Sequence, residues 1–233
     1  MDAVLLVFAK IPRPGHVKTR LTPVLTPDEA ARLYRAFLRD ALDVYADMEV
    51  DVRLYLAPPY SDEDVQAVPD PIAVYEQRGD GLGARMSRAF RDVLQDGYAR
   101  AVIVGTDHPT LPPAFVQQSF STLDGEPTVC IGPSEDGGYY LLGMNAFYPQ
   151  LFEDMTYSHE DVFADTLTRI GATNAQLTVL PQWYDVDTPA ALQRLVDELQ
   201  ASEVVAPRTR ALIKQLDLQR LSQRGAEEEE AEG

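Results

Sequence analysis

Ala3-Val4-Leu5-Leu6-Val7-Phe8-Ala9, followed by Lys10-Ile11-Pro12-Arg13-Pro14-Gly15-His16-Val17-Lys18-Thr19-Arg20-Leu21, decides how the rest of the chain is read. Seven apolar residues without alternation mark a strand covered on both faces, as in a parallel sheet. Open α/β sheets bind ligands at the carboxyl ends of their strands. The twelve residues after this strand hold four of the chain's 20 basic side chains, including two of its three lysines. Two prolines and a glycine can fix the loop's shape while Lys and Arg neutralise phosphate oxygens. A solvated turn opening a helix is the plainer reading. The spacing matches neither Gly-x-x-x-x-Gly-Lys-Ser/Thr nor Gly-x-Gly-x-x-Gly.

Working outward, short apolar runs alternate with helical patterns to about position 200. Strands are expected at Ala3–Ala9, Asp51–Ala57, Ile72–Tyr75, Ala101–Gly105, Thr128–Ile131, Tyr139–Gly143 and Leu177–Leu180. Thr26-Pro27-Asp28-Glu29 supplies an N-cap, a first-turn proline and a capping-box glutamate. Leu33, Phe37, Ala41 and Tyr45 continue that helix as one apolar face. Further helices are expected over Leu82–Gln95, after Thr188-Pro189, and over Pro207–Leu221. The alternation indicates an α/β fold, a mixed and mostly parallel sheet with helices on both faces. Residues 1–222 read as one catalytic domain and 223–233 as a disordered acidic tail, since Glu227 to Glu230 and Glu232 repel one another.

The chain of 233 residues carries a net charge of −17, which disfavours general binding to DNA or RNA. Only Lys10, Lys18 and Lys214 are lysines, and arginine fills the other 17 basic positions. We hypothesise that this acidic, lysine-poor surface suits a salty cell interior. No apolar stretch reaches the roughly 20 residues of a membrane span, and the start lacks export features. With Cys130 as the single cysteine, in an apolar context that favours an inert core thiol, the expectation is a cytoplasmic protein.

Three later segments carry candidate chemistry. Val104-Gly105-Thr106-Asp107-His108-Pro109 places an aspartate at a strand end, where its carboxylate can enter the ligand crevice and hold Mg or Mn through hard oxygen. His108 reads as an orienting side chain. Asp187, in Tyr184-Asp185-Val186-Asp187-Thr188-Pro189, is either a helix cap or a metal ligand. In Gly132-Pro133-Ser134-Glu135-Asp136-Gly137-Gly138-Tyr139-Tyr140-Leu141, the glycines allow close approach to a ligand and Asp136 could act as a base. The same residues also spell a hairpin turn.

Together these blocks resemble a known family. Phe8-Ala9-Lys10-x-Pro12-x-Pro14-Gly15-x-Val17-Lys18-Thr19-Arg20-Leu21, Gly105-Thr106-Asp107-x-Pro109-x-Leu111, Gly132-Pro133-x-x-Asp136-Gly137-Gly138-Tyr139-Tyr140-Leu141-x-Gly143 and Asp185-Val186-Asp187-Thr188-Pro189 stand in family order between about Val4 and Leu195. They are similar to a bacterial family assigned as glycosyltransferases with the GT-A, or nucleotide-diphospho-sugar transferase, fold. That fold is shared with molybdopterin-type and phospholactate-type nucleotidyltransferases. The resemblance implies a nucleotide held over the first loop by Lys10, Pro14, Gly15, Lys18 and Arg20. It implies a divalent metal at Asp107 and Asp187, and an acceptor near Asp136, Gly137, Gly138 and Tyr139. Gln77-x-x-x-x-Leu82-Gly83-x-Arg85-Met86 looks like a family block beside the nucleotide. Tyr157-Ser158 replaces the family's Trp-Ser, and Gly81 replaces an acidic residue.

The expected activity is metal-dependent transfer of a sugar from a nucleotide-diphospho-sugar to a small acceptor. The alternatives are nucleotidyl transfer, with an NTP losing pyrophosphate to a phosphorylated or hydroxyl acceptor, and a nucleotide-binding module without turnover. Fold kinship alone does not choose among them.

Overall fold

The computed structural model describes residues 2–66, 68, 72–201 and 205–216, so the acidic stretch 223–233 and the end of the expected last helix lie outside the described residues. The chain forms two compact units, which are described separately.

The first unit comprises the chain to Ala9, Tyr45–Gly105 and Leu111–Tyr184. It contains one seven-stranded sheet of β1 (Ala3–Ala9), β2 (Asp51–Leu56), β3 (Ala73–Glu76), β4 (Arg100–Val104), β5 (Thr128–Pro133), β6 (Tyr139–Met144) and β7 (Gln176–Val179). Their spatial order is β3-β2-β1-β4-β6-β5-β7. Every pairing is parallel except those of β6, which runs antiparallel to both β4 and β5. The reversal follows from the sequence: five residues join β5 to β6, enough for a hairpin and too few for a crossover. The central β1 is buried at every position, as its unbroken apolar run predicts. The edge strands β3 and β7 are largely exposed. Strand ends differ from expectation by one or two residues.

Alternate residues of the central strands face opposite layers. Val4, Leu6 and Phe8 join Ala101 and Ile103 in a core with Met86, Phe90 and Val93 of one helix and Ile170 of another. On the opposite face, a Cβ at Gly143 would meet the Val102 and Leu123 side chains at 3.1 Å, a tight approach that shows how closely this face is packed. The helices, in chain order, are α1 (Pro27–Ala46), α2 (Asp62–Gln66), α3 (Gly81–Gln95), α4 (Pro113–Thr122), α5 (Val162–Gly171), α6 (Pro189–Ala201) and α7 (Pro207–Gln215). The sequence reading omits α2, α4 and α5. The short α2 nonetheless carries a reciprocal cap, with Ser61 N–H donating to Asp64 Oδ2 at 2.9 Å and Asp64 N–H to Ser61 Oγ at 3.3 Å.

The second unit is built from Lys10–Val44, Thr106–Thr110 and the chain from Asp185 onward. Its long helix α1 opens on the expected capping box, Thr26 N–H donating to Glu29 Oε2 at 2.8 Å. Leu33 and Phe37 of its stripe are fully buried. The C-terminal α7 is tied to it by Asp40, a carboxylate that is 2% exposed. Asp40 accepts the Arg208 and Thr209 backbone N–H groups at 3.0 and 2.8 Å, capping α7 from a distant part of the sequence.

Candidate functional site

In the second unit, the loop after β1 turns at Lys18, whose backbone is left-handed (φ 49°, ψ 38°) before a 3-10 turn over Thr19–Leu21. A non-glycine residue pays a steric cost there. The turn directs the ammonium inward, and the Lys18 side chain is only 2% exposed. Nζ donates to Asp107 Oδ1, and to Asp187 Oδ1 at 2.8 Å. The aromatic faces of Phe37 and Tyr34 lie 5.4 and 5.7 Å from the same nitrogen, adding a weaker attraction.

The carboxylates are not sealed in: Asp107 and Asp187 keep 44% and 39% of their side-chain surface exposed. Burial alone would push the lysine down, yet the two carboxylates hold its pKa above the ordinary lysine value. Burial likewise opposes ionisation of Asp107, and the Lys18 ammonium outweighs it, holding that carboxyl below its usual range. Both groups are therefore charged at neutral pH.

Two backbone and side-chain links bring the late aspartate to this place. Val186 N–H donates to the Asp107 carbonyl at 2.9 Å, and His108 Nδ1 lies 3.2 Å from Asp185 Oδ1. His108, read from the sequence as an orienting side chain, makes this contact with Asp185. Of the two capping candidates, Thr188 takes the role at α6. Thr188 Oγ1 accepts the Ala191 N–H at 3.2 Å and caps α6, which leaves Asp187 to Lys18.

Tyr34 is the member of the site that sequence reasoning misses. Its buried hydroxyl accepts Lys10 N–H at 3.0 Å and shares a hydrogen bond of 2.8 Å with Thr106 Oγ1. It thereby joins the start of the basic loop to the residue before Asp107. Burial, with the Asp107 charge adding to it, pushes the phenol up to about 12, so the hydroxyl stays protonated. The available signal was faint: Tyr34 stands one position beside the Leu33 and Phe37 stripe and reads as core.

The other expected residues are placed differently. Lys10, Pro14, Gly15 and Arg20 are exposed along the loop, with Gly15 left-handed at φ 76°. Asp136, Gly137, Gly138 and Tyr139 lie in the first unit. Asp136 is exposed, and its Oδ1 accepts Gly138 N–H at 3.0 Å, closing the hairpin turn. Gly137 has φ 87°, and a Cβ there would collide with the Glu160 carbonyl, so this glycine is required by packing. Tyr139 packs against the apolar core, its hydroxyl directed at Met86 Sδ, 4.0 Å away. Cys130 is buried in β5, and burial pushes its thiol up to about 11. That fits the inert thiol expected.

A divalent ion bound by protein alone needs more donors than this site offers. Among the described residues no group of three or more His, Cys, Asp or Glu side chains is arranged to hold one. The Asp107 and Asp187 pair instead suits an ion of the Mg type, which takes one or two carboxylates and completes its shell with water and substrate phosphate. Among the described residues, no helix is long and apolar enough to cross a membrane.

A family described as "Uncharacterized protein conserved in bacteria" (DUF2064) matches residues 41–159. No curated protein matches the chain. Among solved structures, a "putative nucleotide-diphospho-sugar transferase" from Desulfovibrio desulfuricans G20 is 33% identical, with a TM-score of 0.89 over 96% of this chain and 98% of its own. CMP:2-keto-3-deoxy-manno-octonic acid synthetase complexed with CTP shares the fold at 14% identity, with a TM-score of 0.55 over 88% of this chain and 100% of its own. Rv0371c from Mycobacterium tuberculosis H37Rv, in complex with manganese, does so at 20% identity, with a TM-score of 0.50 over 84% and 98%. The mixed, mostly parallel fold and the transferase class expected from the motifs agree with these likenesses.

Proposed function

We propose that this chain, which belongs to the DUF2064 family, is a metal-assisted transferase moving a sugar from a nucleotide-diphospho-sugar to a hydroxyl acceptor. The observation that carries the proposal is the meeting of Lys18 with Asp107 and Asp187, drawn from three distant segments onto one nitrogen. A diphosphate needs a cation against its oxygens and carboxylates that hold a divalent ion against it. Those three side chains, with exposed Lys10 and Arg20 on the same loop, supply both. Kinship with the 33% identical protein from Desulfovibrio desulfuricans supports the reading.

In the proposed reaction the acceptor oxygen bonds to the anomeric carbon while the bond from that carbon to the diphosphate oxygen breaks. The electron pair leaves with the nucleoside diphosphate. Lys18 and Arg20 offset the charge gathering there, in a cradle built before the substrate arrives. Asp107 and Asp187 would hold Mg or Mn, which when bound supplies Lewis-acid polarisation of the phosphate. Pro14 and Gly15 shape the loop so that its backbone can approach the nucleotide. The proton that the hydroxyl gives up passes to a base, and the family resemblance makes Asp136, beside Gly137, Gly138 and Tyr139, the candidate for it. Asp136→Asn should then slow transfer without weakening nucleotide binding.

A second reading rests on the Lys18-Thr19-Arg20 turn, whose charge also suits a triphosphate, and on the CTP complex of a protein with the same fold. There the acceptor oxygen bonds to the α-phosphorus of an NTP and pyrophosphate leaves. Incubation with nucleotide-sugars, and separately with NTPs and sugar phosphates, in Mg or Mn decides between them. Nucleoside diphosphate release supports the first reading and pyrophosphate the second. Tight binding by calorimetry with no turnover of any substrate would support a binding module, and no nucleotide binding at all would overturn the proposal.

A further inference from the structure

The first unit contains a cavity of about 320 Å³ at the β3 edge of the sheet, beside α3. It shares no residue with the Lys18 cluster. Pockets for small ligands begin at roughly this size, around 300 Å³. Four arginines line it, Arg53, Arg78, Arg85 and Arg88, in a chain whose net charge is −17. Three carboxylates, Glu76, Asp92 and Asp96, line it as well, so the arginines leave the lining with one net positive charge.

The cavity also has an aromatic wall. Tyr55 and Tyr75 line it, with their rings stacked at 5.2 Å, and Phe8 of the core stacks behind Tyr55 at 5.4 Å. The stack ends at Tyr75 on the edge strand, where the residue remains 37% exposed. Arg53 is fixed beside it. Its guanidinium lies 4.9 Å from both the Tyr75 and Tyr98 rings, donates to Asp51 Oδ2 at 3.0 Å and to the Tyr98 hydroxyl at 2.8 Å. The rim arginines are held loosely. Arg78 is 3.7 Å from Glu76 and Arg88 is 3.5 Å from Asp92, both in exposed pairs of the kind that contribute little. They can exchange those partners for a dianion that their planar forks fit better.

We propose that this cavity binds a small aromatic phosphomonoester of mononucleotide size, its ring against Tyr75 and its phosphate on Arg78 and Arg88. The binding is separate from the transferase reading and does not depend on it.

Calorimetry with AMP, ribose 5-phosphate and inorganic phosphate tests the assignment. The Lys18→Met protein serves as background, since it lacks the cation of the proposed nucleotide site. AMP should still bind there, more tightly than ribose 5-phosphate, and inorganic phosphate should bind least. Arg78→Gln with Arg88→Gln should weaken AMP about tenfold or more, the loss expected of charged hydrogen bonds. Arg85 is left intact because its sequence block is tied to the nucleotide by resemblance. A Tyr75→Trp protein gives an independent reading: AMP should quench the new emission and ribose 5-phosphate should not. AMP binding that disappears with Lys18→Met, that is unchanged by the double arginine variant, or that leaves the Tyr75→Trp emission unmoved would overturn the proposal. Such a result would leave the transferase reading intact.

Discussion

Replacing Lys18 by methionine removes one charge from the site while keeping most of the buried stem, and it should move two affinities in opposite directions. In the native protein one ammonium balances part of the two negative charges of Asp107 and Asp187. A bare divalent ion must therefore compete with Lys18 for the same oxygens. A unit charge about 4 Å from a divalent ion, at an effective dielectric constant of about 20, contributes about 8 kcal/mol as an upper figure. The carboxylates are two-fifths exposed, so solvent screening reduces this to about 1.5–3 kcal/mol, or roughly a ten- to hundredfold gain in Mn affinity. Nucleotide affinity should fall by a similar factor, because a charged hydrogen bond to phosphate is lost. Electron paramagnetic resonance of unbound Mn, titrated with protein alone and again with nucleotide, reads both effects. An Asp107→Asn, Asp187→Asn double variant should abolish the Mn binding in either background. Unchanged or weaker binding of bare Mn by Lys18→Met would refute the idea that the ammonium competes with a bare divalent ion for these carboxylate oxygens.

Further outcomes are expected from four other perturbations. Tyr34→Phe should cost about 1 kcal/mol in denaturant unfolding, the worth of the lost hydrogen bonds, and should lower nucleotide affinity through the loosened Lys10 loop. Because the Tyr34 phenol is raised from 10.0 to about 12 in the fold, its contribution is complete below pH 10 and lost as pH rises towards 12, so the alkaline fall in stability should be smaller in Tyr34→Phe. The Asp107 carboxyl is lowered from 3.8, so its contribution is present above that pH and lost as pH falls through its folded value; Asp107→Asn should flatten the acid limb of the stability profile and remove metal-dependent nucleotide binding. Gly137→Ala, which meets the Glu160 carbonyl at a positive φ, should destabilise by about 2–4 kcal/mol by thermal melt. If the acidic surface is an adaptation to salt, molar KCl should raise the melting temperature, and no change or a fall would refute that.

Much of this architecture is visible in residue order because buried parallel strands and amphipathic helices impose distinct periods. The unbroken β1 run, the capping box at Thr26 and the stripe through Leu33 and Phe37 each carry their own local cause. Two of the omitted helices, α4 and α2, show where that logic weakens. The weakly patterned Pro113-Ala114-Phe115-Val116 opening and the five-residue α2 offer too few turns for a period to register. The exposed edges β3 and β7 also look more buried in sequence than they are, since composition does not reveal which strand lacks a neighbour.

For the candidate site, the amino-acid order by itself determined which residue types could handle a phosphate and a metal: a basic loop, a strand-end aspartate and a late Asp-Val-Asp segment. Tertiary structure alone decided their partners. Lys18 and Asp187 are separated by 169 positions, and no local propensity can report that one nitrogen lies between two carboxylates. Likewise Thr188, by taking the capping role, released Asp187 to that nitrogen, and Tyr34 became the clasp between two loops. Periodicity records how a segment meets its surroundings as a whole, whereas a hydrogen bond depends on where two side-chain atoms come to rest after the chain has folded.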